Sequence, residues 1–279
     1  MKKYTLLVIL SIISATGLFA QGNCCSRPSA MGLLALNADF MAAHLPPEPL
    51  NYSPEKGAML SFETTDGKDG NAFFVPSTTP TKKVLIVVHE WWGLNDYIKR
   101  EAERLQKELG NDVDVYAVDL YDGGVAENPD DASQMMSKLT ANRADAILGG
   151  LMKKIGAHKK IATIGWCMGG SWSFEATLLA GDQSVGCVMY YGFPEKDVKK
   201  VKTLKSDVLY IYGNKDKFIK RIDVDGFGKR ISAVGLHFDF HEFPADHAFA
   251  NPSNPKFDKA SASEANVLAI KFLQQHLGK

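Results

Sequence analysis

The residues whose types and positions suit chemistry are a cysteine, a histidine, an aspartate and a glutamate, each at the exit of an expected strand. The sharpest is Cys167, in the stretch Lys-Ile-Ala-Thr-Ile-Gly-Trp-Cys-Met-Gly-Gly at residues 160–170. Residues 161–164 are apolar and β-rich, and residues 171–180 read as a helix. Strand, tight turn and helix form the context of a nucleophile elbow, G-x-nucleophile-x-G, on a strained turn at the top of a parallel sheet. So sharp a turn brings the positions two before and two after the nucleophile almost into contact. Gly165 and Gly169 must therefore lack side chains, and Gly170 lets the helix approach the strand. The free N–H groups and positive end of that helix favour a thiolate at Cys167, and the Met168 N–H points into the same site. The competing reading is a small buried cysteine at a strand end; strand, glycine spacing and helix together favour the elbow.

A cysteine nucleophile needs a base, and the base needs an orienting group. In a parallel sheet such groups gather beyond the carboxyl ends of the strands. The apolar run 208–212 exits into Gly213-Asn214-Lys215-Asp216, and the run 237–243 into Pro244-Ala245-Asp246-His247. His247 stands out among the seven histidines because it opens a loop of small and turn residues directly after a strand. Asp216 is its expected orienter; Asp246 competes, but neighbours in a chain rarely turn their side chains on each other. A further exit, His89-Glu90-Trp91-Trp92-Gly93, is no zinc motif, since the second histidine of such a motif is replaced by Gly93. A glutamate at the end of a buried strand is costly unless paired, so Glu90 is expected to have a raised pKa or to accept hydrogen bonds. The Trp91 N–H stands where a second oxyanion donor belongs.

The elements that position these groups follow a strand-then-helix rhythm from residue 84 onward. Strands are expected at 84–88, 113–118, 161–164, 185–191, 208–212 and 237–243, and helices at 96–109, 130–155, 171–180 and 260–277. Continuous apolar strands imply a mostly parallel central sheet with helices on both faces, an α/β class. Ahead of it, residues 59–64 and 71–75 flank the turn Asp66-Gly67-Lys68-Asp69-Gly70 as a hairpin. Residues 29–44 read as a helix stopped by Pro46-Pro47-Glu48-Pro49, an extension laid on the domain.

The first twenty residues differ in kind. Lys2 and Lys3 precede an apolar run, 4–19, that ends in small residues and Ala20, the pattern of a secretory signal. The run is short of the ~20 residues that span a bilayer, so removal near Ala20 and export to the periplasm or exterior are expected, with no stable membrane span afterwards. Residues 21–56 then form the extension and 57–279 the main domain. Lys plus Arg and Asp plus Glu number 32 each, so no broad basic surface for nucleic acid is implied. Four cysteines make no disulfide framework: Cys24 and Cys25 are adjacent, which suits no ordinary bridge, and Cys187 sits in an apolar strand. No cofactor or metal is called for.

These motifs together resemble the dienelactone hydrolase family of the α/β-hydrolase superfamily. The resemblance rests on Glu90 to Asn95 (E-x-x-G-L-N), Asp119-Leu120-Tyr121, the cysteine elbow 165–170, Gly213-x-x-Asp216 and Asp246-His247-Ala248-Phe249. It implies a small-molecule ester or lactone as substrate, Cys167 as nucleophile, His247 as base, Asp216 as orienter, and Glu90 as the carboxylate that holds the resting Cys167 away from His247. Two arginines that grip a substrate carboxylate in the family are replaced here by Gly123 and Asn251, which points to a different ester or lactone. Trp92, Tyr121, Trp166 and Phe249, with Trp91, are expected to offer an apolar pocket to the acyl group. An acyltransferase, or a binding protein on the same scaffold, are the competing readings.

Overall fold

The computed structural model describes residues 30–278; the expected leader, Cys24 and Cys25 lie outside them. Two short helices, α1 (Ala30–Ala35) and α2 (Ala38–Ala43), open the described chain. The hairpin follows as β1 (Ala58–Glu63) and β2 (Asp69–Val75), and the alternating part as β3 (Lys83–Val88), α3 (Asp96–Glu108), β4 (Asp114–Asp119), α4 (Pro129–Lys138) and α5 (Ala141–Ile155). The elbow strand β5 (Lys160–Trp166) leads into α6 (Met168–Ala180), then β6 (Ser184–Tyr190), α7 (Val198–Val201), β7 (Val208–Gly213), α8 (Arg221–Ala233), β8 (Phe238–Phe243) and α9 (Lys259–Gly278). All eight strands form one sheet in the order β1-β2-β4-β3-β5-β6-β7-β8. β1, β2 and β4 pair antiparallel in sequence, and every pairing from β4 through β8 is parallel.

The central strands are apolar on both faces because helices cover both. Val84, Leu85, Ile86, Val87 and Val88 are at most 1% exposed, and each such side chain contributes about 1.5–3 kcal/mol when fully buried. The crossover places β3 and β5 side by side, with Val88 opposite Gly165, so the exits carrying Glu90 and Cys167 are neighbours at one end of the sheet.

Three expectations are corrected. The stretch 130–155 is two helices, because Leu139 and Thr140 turn extended and the Thr140 hydroxyl caps α5 by accepting from the Arg143 N–H at 3.2 Å. The helix expected over 29–44 is likewise two, with Asn37 capping α2 through its side-chain oxygen on the Phe40 N–H. α8 carries no strong apolar periodicity and was not expected; Gly226 and Gly228 dilute it, and Gly228 is glycine because the Phe238 ring lies 2.5 Å from where a Cβ would sit.

Hydrogen bonds to α4 and α3 help to anchor the extension. Ser133 of α4 donates its hydroxyl to the Ala35 carbonyl at 2.7 Å. Glu103 of α3 accepts from the Tyr52 hydroxyl and from the N–H groups of Glu55, Lys56 and Gly57 at 2.8–3.2 Å. No helix among the described residues is long and apolar enough to cross a membrane.

Candidate active site

The elbow is built as its glycines require. A Cβ on Gly165 would lie 2.0 Å from the Gly169 carbonyl oxygen, and one on Gly169 would lie 2.3 Å from the carbonyl oxygens of Val88 and His89. Cys167 takes φ 55° and ψ −119°, a region that costs a non-glycine residue roughly 1–3 kcal/mol unless its surroundings impose it. They do: its N–H donates to the Tyr190 carbonyl and its carbonyl accepts from Gly170, both at 3.0 Å. Met168 begins α6, so its N–H belongs to the set that a helix leaves without an internal acceptor.

Cys167 Sγ lies 3.2 Å from His247 Nε2, and His247 Nδ1 donates to Asp216 Oδ2 at 2.6 Å. The other Asp216 oxygen accepts from the N–H groups of Phe218 and Ile219 at 2.7 and 3.0 Å, which fixes the carboxylate. The two loops meet because Lys215 donates its N–H to the Ala245 carbonyl at 3.0 Å and because Gly213 has no side chain; a Cβ there would stand 2.6 Å from the same oxygen. Asp246 is exposed and takes no part. Burial alone would lower the His247 pKa, but Asp216 and Cys167 outweigh it and raise it to about 10, so the imidazole holds its proton next to the sulfur.

Glu90 follows β3 and is buried, with Oε2 lacking a hydrogen-bond partner. Burial raises its pKa to about 7 against the opposing pull of His247 and Asn251. The expected grip on Cys167 is corrected: the sulfur already sits on His247, and Glu90 faces Asn251 and His247 instead. His89, passed over in the sequence, fixes this exit. Its Nδ1 donates to the Glu90 carbonyl at 2.6 Å and its Nε2 accepts from the Leu120 N–H at 3.0 Å, tying the ends of β3 and β4 together. Burial keeps it neutral by lowering its pKa.

A cavity of about 390 Å³ adjoins Glu90, Trp166 and Asn251 and continues over Tyr97, Ile98 and Phe257. Of the four expected pocket residues, Trp166 lines it. Trp92 and Phe249 are each 1% exposed and pack in the core, since rings that follow buried strands find better cover inside than at an opening. Tyr121 donates its hydroxyl to the Met168 sulfur at 3.2 Å. The side chain at Asn251 is held by Ser253, whose N–H and hydroxyl both donate to its oxygen, and Gly123 offers only a backbone N–H, spent on Asp119.

The residues that the sequence did not connect to the site are Phe40 and His44. Phe40 is fully buried and meets Trp91 and Phe218 edge to face, each at 5.1 Å between centroids. His44 packs on Trp91 at 4.7 Å and on His247 at 5.5 Å. Its signal was the apolar Phe40 one helical turn before it, indistinguishable in sequence from an ordinary amphipathic face.

A parallel sheet with a strained nucleophile turn between β5 and α6, an acid after β7 and a histidine after β8 defines an α/β-hydrolase. Within that superfamily, the profile of the dienelactone hydrolase family matches residues 71–277; the chain belongs to this family and is a hydrolase of the ester or lactone type. It is 26% identical over 203 residues to Protein usf of Aquifex pyrophilus, covering 69% of this chain and 88% of that one. It is 25% identical over 224 residues to carboxymethylenebutenolidase 1 of Cupriavidus pinatubonensis, covering 72% and 90%. A solved dienelactone hydrolase-like promiscuous phosphotriesterase from metagenomic libraries superposes with TM-score 0.67 at 19% identity, covering 79% of this chain and 99% of that one; at that identity the likeness is one of fold.

Proposed function

We propose that the protein hydrolyses small neutral esters or lactones through an acyl-cysteine intermediate. The observation that carries this is the unbroken line Cys167 Sγ, His247, Asp216, with contacts of 3.2 and 2.6 Å on a strained elbow. In the first step Sγ attacks the substrate carbonyl carbon, and the developing oxyanion is met by the N–H groups of Met168 and Trp91. His247 gives the proton on Nε2 to the leaving alkoxide as the C–O bond breaks. His247 then takes a proton from water, whose oxygen attacks the thioester, and Sγ leaves as the acid is released. Asp216 holds the imidazole in the tautomer this requires.

A neutral substrate fits the cavity. Gly123 and Asn251 supply no cation, Arg104 is committed to Glu101 and Glu108 at 2.5 and 2.7 Å, and the exposed Arg100 lies over the Tyr97 ring, 5.1 Å from its centroid. What remains is chiefly apolar wall. The test is a panel of aryl esters and lactones assayed with the wild type and with Cys167→Ala, and intact-mass analysis after a nitrophenyl ester. An acyl adduct on Cys167 and a loss of turnover of at least about 10³-fold are expected; equal turnover in Cys167→Ala sinks the proposal.

The proposal extends to export. Its support is the charge and apolar pattern of residues 1–20 alone, and a mature chain recovered from cells that still begins at Met1 contradicts it.

A further inference from the structure

Beside the hydrolytic line lies an arrangement that ester hydrolysis does not use. His44, Cys167 and His247 are all buried, and one ligand atom from each lies within 4.8 Å of the other two. Both histidines present the same nitrogen. His44 Nδ1 donates to the Phe40 carbonyl at 2.7 Å and His247 Nδ1 donates to Asp216 at 2.6 Å. His247 Nε2 thereby meets the sulfur at 3.2 Å, and His44 Nε2 is left buried without a hydrogen-bond partner. An acceptor that fixes the far nitrogen of a ligating histidine is the usual support of a metal site. A buried polar atom with no partner otherwise costs about 1–3 kcal/mol.

We propose that His44 Nε2, Cys167 Sγ and His247 Nε2 form a three-ligand site for a tetrahedral, thiolate-accepting ion of the Zn²⁺ class, and that the bound ion reversibly switches the hydrolase off. One thiolate with two imidazoles is a donor set suited to such an ion, with the fourth position left to water. Bond lengths of about 2.3 Å to sulfur and 2.0–2.1 Å to nitrogen set ligands roughly 3.3–3.6 Å apart. The Cys167–His247 pair, at 3.2 Å, is within a few tenths of an ångström of that spacing, and only His44, the C-cap of the short helix α2, needs to close in. On binding, the ion takes the Sγ electron pair and both Nε2 lone pairs, and the one proton shared by Cys167 and His247 leaves to solvent. Nucleophile and base are then both occupied, so hydrolysis stops until a chelator removes the ion.

The proposal shares two residues with the hydrolytic reading, but its test is independent of turnover. Equilibrium dialysis against Zn²⁺ should give one ion per chain. Co²⁺ in its place should show a sulfur-to-cobalt charge-transfer band. His44→Gln, which keeps the volume but offers no imidazole, should weaken binding by at least about 100-fold and abolish that band, and so should Cys167→Ala. The doubly substituted chain Cys24→Ser, Cys25→Ser should still bind, which separates this site from the N-terminal thiols. As a measurement that needs no variant of the site, Zn²⁺ should raise the melting temperature of the intact chain. Absence of uptake by the wild type, unchanged binding in His44→Gln, or binding lost with Cys24 and Cys25 overturns the metal site while leaving the hydrolase reading intact. Zn²⁺ uptake together with undiminished turnover in Cys167→Ala refutes the hydrolase reading and its inhibition instead.

Discussion

Replacing Glu90 by glutamine should leave the protein almost unchanged in acid and make it more stable than the wild type above neutrality. The glutamate is 4% exposed, its Oε2 has no partner, and burial lifts its pKa from the ordinary 4.5 to about 7. A carboxyl group raised in this way binds its proton more tightly folded than unfolded. Stability therefore falls as pH rises from 4.5 to about 7 and is level beyond. At 1.36 kcal/mol per pH unit over that interval, the buried carboxylate costs the folded state about 3 kcal/mol at pH 8. Glutamine, of the same shape, carries no such charge. His247 also makes the protein less stable toward alkaline pH, since its stabilisation is complete below 6.5 and lost as pH rises through about 10, but that slope is present in both chains and cancels in the difference. Urea unfolding of wild type and Glu90→Gln at pH 4.5 and pH 8, followed by circular dichroism, is the assay. A stability difference that is the same at both values would refute the reasoning and mean that the carboxylate is solvated or compensated in the fold.

Glycine positions provide a second pair of outcomes: Gly169→Ala must force its methyl against the Val88 and His89 carbonyls at 2.3 Å and should not yield a folded protein, whereas Gly149→Ala, on α5 with nothing within 4 Å, should raise stability by about 1 kcal/mol. Thermal melting and soluble yield distinguish them, and a folded, active Gly169→Ala would refute the steric account of the elbow. Glu103→Ala removes the acceptor of the Tyr52 hydroxyl and three consecutive N–H groups, so hydrogen exchange at residues 55–57 should speed by at least about 10-fold while exchange in β3 stays unchanged; unaltered exchange at those amides would show the anchor to be idle.

The line of Cys167, His247 and Asp216 was legible because each member announces itself locally. Gly165, Gly169 and Gly170 encode a turn, Asp216 follows an apolar run that reads as an interior strand, and His247 follows the alternating run 237–243, which forms the edge strand β8. What stayed hidden depends on contacts across the fold. His44 looks like the tail of an amphipathic helix until the chain places it on Trp91, and His89 looks like a spacer until its ring joins two strand ends. Trp92 and Phe249 misled because aromatic side chains near a reactive group suit a pocket wall and a core equally well by composition. The orientation of Glu90 was set by Asn251, a residue 161 positions away in sequence, and local pattern carries no information about that encounter.

The contact of Phe40 and His44 with Phe218 and His247 also joins parts of the chain far apart in sequence. Residues 40 and 44 are among the first of the described chain to be synthesised, yet their partner His247 follows about 200 positions later. Closing so long a loop carries an entropic cost that is repaid only when both ends are structured. The seat of α2 on His247 therefore depends on the pairing of β8 with β7, the strand that carries the chain to His247. The cover over the buried Cys167 is thus made by residues that lie about 200 positions apart in the chain.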